Sequence, residues 1–534
     1  MPPKPNAAAP ANPRRAPEFF LAVALTGLVV LLHIYFLKSI GGLWRDEVNS
    51  VNVAQGTWSQ LTHDSFPILF PLLLRGWSSL GFGASDLSLR IFGVLAGLSL
   101  TAAFWLAAWW LRRRPPLWSL VLAALNAWVI YYDASLRAYG LGSAMIALCF
   151  GAAWFFLEKP GRKSWLLFAA TAILSVQTLY QNTALVAAVC AGACAVGARR
   201  KNFRLALGIF LGGLAAAVSL LPYWLNVSGM AQSASPLRMD FDRVIALNNL
   251  GTLLAFPLPQ FFWVWPGLVG WVLVRAAANF FSPRRDDRPL FAAVAVIIGL
   301  CAFVVFLRLA NFPVQPWYFL PLLALTAVAL ESSLPRLEGK FRAALWGGVA
   351  ATALMSALFA VRLLDYRFTN VDALAKKILA SAHKKDFAVV TPWQFGITFG
   401  HCFKNSCAWD TAPPLADHSV HRFDLAVAQM QNTNAMAPLL AQLADTLRAG
   451  HTVWVVGGIG EAGGPNVPAS PPPPPLPATG WNETPYRFAW SSQLNWFLRR
   501  HSLEISCVDA GTNDDVNFIE RTSLFTAKGW KGPQ

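Results

Sequence analysis

Two adjacent carboxylates, Asp46 and Glu47, stand in the stretch LWRDEVNSVNVAQ, Leu43–Gln55, shortly beyond a long apolar run. Only 13% of the residues are charged, so an acid pair in that place asks for a reason. A carboxylate at a membrane surface can take a proton from a hydroxyl, or steady a carbon that becomes electron-poor in a transition state. Repulsion between neighbours would raise one pKa, which suits a base, although helical geometry would point the two side chains apart. The structural alternative is a helix start: acids favour the first turn, and Asp46 could cap a helix running through Val48 to Gln55. A second cluster, IYYDASLRAYGL at Ile130–Leu141, gathers Asp133, Arg137, Tyr131, Tyr132 and Tyr139. A cation there can hold a phosphate; it can equally snorkel and anchor a span, with the tyrosines as an interfacial belt.

The elements that must position these residues are mostly apolar. The chain has 534 residues, 55% of them hydrophobic, with 23 tryptophans and 37 phenylalanines, and its mean hydropathy is +0.44. That composition is a polytopic membrane protein. The formal charge of +16 is dispersed in small clusters between apolar runs, which reads as a topology signal and not as a nucleic-acid-binding domain. Eleven runs approach the length needed to cross a bilayer, at 19–37, 88–111, 116–132, 138–157, 164–180, 183–198, 205–225, 261–281, 289–307, 316–333 and 343–363. Alternate connections hold Lys4, Arg14 and Arg15; Arg112 to Arg114; Lys159, Arg162 and Lys163; Arg199, Arg200, Lys201 and Arg204; Arg284, Arg285 and Arg288; and Arg336, Lys340 and Arg342. That is roughly nineteen basic residues against about eight in the opposite set, so the positive-inside rule puts the N-terminal tail, residues 1–18, in the cytoplasm. No small-residue cleavage site follows the first run, which reads as a retained span. The membrane domain is then 19–364, and its first outer loop, 38–87, carries Asp46 and Glu47 close to the membrane surface.

With eleven spans the chain leaves the membrane outside the cytoplasm. From residue 365 to 534 the apolar runs shorten to strand length, as in DFAVVT and HTVWVVGG, and alternate with amphipathic stretches such as APLLAQLADTLRAG. This pattern predicts an extracytoplasmic α/β domain, interrupted by a proline-rich insertion at 468–480. Cys149, Cys190, Cys194 and Cys301 fall in apolar spans as small core residues. Cys402 and Cys407, in HCFKNSC, could close a local disulfide in an oxidising compartment or stay apart. No second ligand pair follows His401 to complete a zinc site.

Taken with its surroundings, Leu43–Leu98 resembles the opening of the polytopic GT-C glycosyltransferases, and is similar to the protein O-mannosyltransferase and lipid A aminoarabinose transferase group, glycosyltransferase family 39. The family order is an Asp-Glu pair, a His-Pro-Pro-Leu-like segment, an in-plane helix, a Gly-Asp-Ser-Glu-like turn and an Arg-Leu-Pro-like start of the second span. Here the steps are Asp46-Glu47, His63 to Pro67, Ile68 to Leu80, Gly83 to Asp86 and Leu89 to Phe92. Ile130–Leu141 resembles the second signature, at the exit of the third span. There are departures: Ser135 stands where the family often has a glutamate, Thr178-Leu179-Tyr180 lacks the family's histidine, and Trp317-Tyr318 replaces an Arg-Tyr pair, with Arg308 nearby but out of register.

The resemblance implies transfer of a sugar from a polyprenyl phosphate to an extracytoplasmic lipid, glycan or protein. Asp46 would be the base, Glu47 its orienting partner or an acceptor contact, and Asp133 a second acid. Arg137 would hold the donor phosphate, with His63, Tyr139 and Arg308 as further donor contacts. No cofactor is implied, and a divalent metal is not demanded. The location implied is the multi-pass inner membrane of a bacterium. Two other readings use the same residues: a transporter or flippase of a lipid-linked sugar, and a ligase or polymerase of whole oligosaccharides. Carboxylates at the interface and spans nearly free of charge weigh against the transporter.

Overall fold

The computed structural model describes residues 16–62, 66–224, 241–280, 286–334, 340–404, 406–459, 469–473, 482–511 and 515–532. His63, most of the N-terminal tail and of the proline-rich insertion, and the basic residues Arg284, Arg285 and Arg336 lie outside them.

Helix α1 (Ala16–Ser39) is followed by four short helical pieces before the next long helix: α2 (Arg45–Gln55), α3 (Trp58–Thr62), α4 (Leu69–Trp77) with a π-helical extension over Ser78–Phe82. Then come α5 (Asp86–Arg112), α6 (Leu117–Ser119), α7 (Ala127–Asp133) and α8 (Tyr139–Glu158). Among the described residues eight helices are long and apolar enough to cross a membrane. The remaining three expected spans are helical but fall short, each for a local reason. The third is broken: a π-helical turn at Leu120–Ala124 ends it, and Asn126 restarts it by accepting the Trp128 N–H at 3.0 Å. The fifth is the 15-residue helix Arg162–Val176. The tenth is a 3-10 turn, Pro316–Phe319, leading into Leu320–Ser333, whose every residue is buried.

Close packing of α5 on α8 leaves a narrow channel for the connection from Asp133 to Tyr139. It is kept open by two residues without side chains. A Cβ on Gly93 of α5 would lie 2.6 Å from the Ala134 carbonyl oxygen, and one on Gly140 would collide with the Asp133 carbonyl oxygen. Glycine therefore lets the backbone bearing Arg137 lie inside the bundle.

The C-terminal residues build a five-stranded sheet in the order β2-β1-β3-β5-β4, from β1 (Phe387–Val390), β2 (Ala408–Thr411), β3 (Val453–Val456), β4 (Ser502–Val508) and β5 (Leu524–Trp530). β1 runs parallel to β2 and β3, with Phe387 opposite Ala408 and Val453; β5 is antiparallel to β3 and to β4. β1 and β3, FAVV and VWVV, are buried at every position. Such unbroken apolar runs suit inner strands covered on both faces. Val371–Ser381 and Phe395–Cys402 cover one face; Phe423–Gln431, Ala437–Arg448 and Glu483–His501 cover the other. Cys402 and Cys407 are free thiols.

Candidate active site

Helix α2 sits between the membrane bundle and the C-terminal domain. Its N-cap is Trp44, so Asp46 lies in the first turn and is not the cap that the sequence allowed. Glu47 closes that turn by accepting the Trp44 N–H at 3.2 Å. At the other end Arg75 of α4 donates to the carbonyls of Ala54, at 2.6 Å, and Gly56.

The two carboxylates face different surroundings, as helical geometry requires. Glu47 is fully buried. One oxygen accepts from Arg90 and from the Leu136 N–H at 2.8 Å. Arg90, itself buried, also donates to the Gly42 carbonyl at 2.6 Å. Burial pushes the Glu47 carboxyl up, against the opposing pull of Arg90 and the two backbone donors. Glu47 thus ties α2 to α5 and to the connection that bears Arg137.

Asp46 keeps its side chain 22% exposed. Its Oδ1 lies 3.1 Å from Nε2 of His421 and its Oδ2 lies 3.9 Å from an Arg137 amino nitrogen, while Arg45 Nε is 3.8 Å from Oδ1. Burial would raise this carboxyl, but Arg137, His421 and Arg45 outweigh it and hold it well below the usual carboxylate range. Asp46 is therefore an anion at neutral pH.

Arg137 donates to the Asp46 carbonyl and to the Ser50 hydroxyl, both at 2.9 Å, and its guanidinium lies 4.3 Å from the centre of the Phe66 ring. Tyr139 meets Phe66 edge-on at 5.6 Å and packs near Trp317 and Tyr318. The structure brings Asp46, Arg137 and Tyr139 together. Asp133 points elsewhere: it is buried in the bundle, with one oxygen 3.5 Å from the Ser143 hydroxyl and the other without a hydrogen-bond partner among the described residues. Arg308 is exposed near the end of the helix Arg288–Ala310 and contacts neither Asp46 nor Arg137 among the described residues. His63 lies outside them. No three described His, Cys, Asp or Glu side chains are grouped to hold a metal ion.

Comparison with solved structures finds one that shares this architecture and others that are similar to it. ArnT from Cupriavidus metallidurans, bound to undecaprenyl phosphate, superposes with a TM-score of 0.53 at 14% identity over 82% of this chain and 92% of that one. The chain has a GT-C fold. The oligosaccharyltransferase of Archaeoglobus fulgidus, in complex with zinc and sulfate, gives 0.47 at 12% identity over 82% and 68%. The Pmt1-Pmt2 protein O-mannosyltransferase complex of S. cerevisiae, bound to its sugar donor, gives 0.29 at 17% over 47% and 38%. No protein-family model matches the sequence, and no curated protein sequence matches it significantly.

Within this GT-C fold, two side chains of the site escaped the sequence reading, and a third, Arg90, falls in the Leu89–Phe92 step of the resemblance with no sign of its partner. Ser50 is one hydroxyl among many. His421 lies in the C-terminal domain, hundreds of residues from Asp46. One signal was present: Asp46, Asn49 and Asn52 recur every third residue and form a polar stripe on α2, and a polar stripe on a buried helix needs a partner.

Proposed function

We propose that the chain is a membrane glycosyltransferase that moves a sugar from a polyprenyl-phosphate donor to a hydroxyl of an extracytoplasmic lipid, glycan or protein, with Asp46 as general base. The observation that carries this reading is the placing of Asp46: an ionised, part-exposed carboxylate beside Arg137, within the fold it shares with an undecaprenyl-phosphate-bound protein. The acceptor oxygen attacks the anomeric carbon, the bond from that carbon to the phosphate oxygen breaks, and its electron pair leaves with the polyprenyl phosphate. The acceptor's proton passes to Asp46. Arg137 stabilises the phosphate as negative charge grows on it. A phosphate also competes with Asp46 for Arg137, so donor binding removes part of what holds the Asp46 pKa down and makes the carboxylate a stronger base. In this reading the N-terminus is cytoplasmic, residues 365–534 lie outside the cytoplasm, and the membrane is a bacterial inner membrane.

The test is Asp46→Asn, which keeps shape and hydrogen bonding but removes the proton acceptor. Mass spectrometry of envelope lipids, glycans and proteins from cells with and without the chain identifies the transferred sugar. Turnover of that donor falls by about 10² to 10⁴ in Asp46→Asn, while donor binding is not weakened, because the phosphate no longer competes with Asp46 for Arg137. Full turnover removes Asp46 from the chemistry.

A further inference from the structure

The stripe on α2 is met by one loop of the C-terminal domain. His421 Nε2 lies 3.1 Å from Asp46 Oδ1, the His421 backbone N–H donates to Asn49 Oδ1 at 3.0 Å, and Asn52 donates to the Ser419 carbonyl at 2.5 Å. Each member of the stripe has a partner within three consecutive loop residues. The loop is shaped beforehand. Asp417 accepts from the Ser419 N–H and hydroxyl at 2.8 and 2.7 Å, and Arg422 bridges Asp417 and Asp424 at 2.7 Å each. The His421 ring lies parallel to Phe423, 5.5 Å centre to centre. Backbone contact and ring stacking fix the imidazole from two sides, so it presents Nε2 to the carboxylate in one orientation.

We propose that His421 is a positioning residue for Asp46, supplied by the C-terminal domain, that fixes the carboxylate with one oxygen on the imidazole and the other towards Arg137. This rests on the glycosyltransferase reading above. Asp46 has two soft side-chain torsions, and Arg137 at 3.9 Å is too far to fix it by a hydrogen bond alone. The imidazole donates Nε2–H to Oδ1 and leaves Oδ2 turned to the Arg137 side for the acceptor's proton. The charged groups around His421 are Asp46, Arg45 and Arg137 on the membrane side, Asp417, Arg422 and Asp424 on its own loop, and Glu520 behind Arg45.

The experiment compares His421→Gln, which retains an N–H donor, with His421→Ala, which retains none. Detergent-permeabilised membranes from cells lacking the chromosomal copy, carrying each variant and their own donor pool, are assayed at one neutral pH. Product is read by mass spectrometry, and folding is checked by thermal unfolding of the purified chain. Expected are kcat within about 10-fold of wild type for His421→Gln and a loss of about 100-fold for His421→Ala, each at unchanged KM, the scale of a misplaced catalytic group. Near-wild-type kcat in His421→Ala, or losses that only follow the unfolded fraction, overturn the positioning role and leave Asp46 as base intact. Absence of any sugar product from the wild-type chain overturns the glycosyltransferase reading, and this one with it.

Discussion

Adjacent in sequence, Asp46 and Glu47 should fail in opposite ways, and Glu47→Gln is the sharper experiment. Glu47 is fully buried, opposite an Arg90 guanidinium that is 3% exposed. Glutamine removes the charge but not the need for one. Breaking one partner of a buried pair costs about 3–5 kcal/mol, because the other charge stays behind unpaired. The amide also cannot serve all three donors that the carboxylate accepts: Arg90 and the Leu136 and Trp44 N–H groups. Its own NH2 must face one of the two backbone donors, and a buried N–H without an acceptor costs about 1–3 kcal/mol. These losses share one site and do not add, so about 3–5 kcal/mol stands for the whole. The assay is the unfolding midpoint of the purified chain in one detergent, read by loss of the monodisperse peak on heating. Glu47→Gln should fall well below wild type, while Asp46→Asn, which keeps the His421 contact, should stay near it. A double variant, Glu47→Gln with Arg90→Met, should regain stability over Glu47→Gln alone, because the stranded charge is gone. A Glu47→Gln chain that melts like wild type yet turns over slowly would refute the tie and give Glu47 a part in the chemistry.

Arg137→Lys should retain part of the turnover and Arg137→Ala very little, because a point charge survives in one and the planar fork in neither; equal, near-normal kinetics in both would leave Arg137 an anchor. Glu520 is fully buried 2.9 Å from Arg45, and burial raises its carboxyl to about 7 against the pull of that arginine. With the folded pKa above the unfolded one, its contribution to stability is complete below about 4.5 and is lost as pH rises through 7. Hydrogen exchange in α2, corrected for intrinsic rate, should therefore be better protected at pH 5 than at pH 8, and Glu520→Gln should abolish the difference. A reporter active only outside the cytoplasm should work when fused after Gln55 or Leu364 and fail after Arg114 or Arg204; activity at Arg114 would invert the topology.

Apolar length made the bundle legible, because it follows from the bilayer as solvent. What the pattern could not show is how a span ends when the bundle, and not lipid, surrounds it. Leu320–Ser333 is enclosed on all sides and so needs neither full length nor a lipid-facing stripe; the third span breaks at Asn126, where a local hydrogen bond outweighs an apolar run. Within the candidate site, Asp46 and Arg137 were picked out because the two signatures that carry them are short and ordered, and their side chains lie 3.9 Å apart. The parting of Asp46 from Glu47 was legible only as a geometric tendency. Which of them is buried depends on Arg90, 43 positions on. Asp133 looked like a second acid because it shares a stretch with Arg137, but the chain turns between them and sends it towards Ser143. His421 was out of reach, since no local pattern pairs a loop of one domain with a helix of another.

Because α2 takes its contacts from both halves, the two halves are not interchangeable parts. A chimera joining this membrane half to a relative's C-terminal domain would inherit an aspartate without its histidine, and the reverse chimera a histidine facing a foreign helix. Substitutions at Asp46 are thus tied to those at His421, whereas Asn49 and Asn52 meet backbone groups of the loop and depend on its shape. Lineages should exchange this chain as a single block, and recombination within residues 365–422 should leave few survivors.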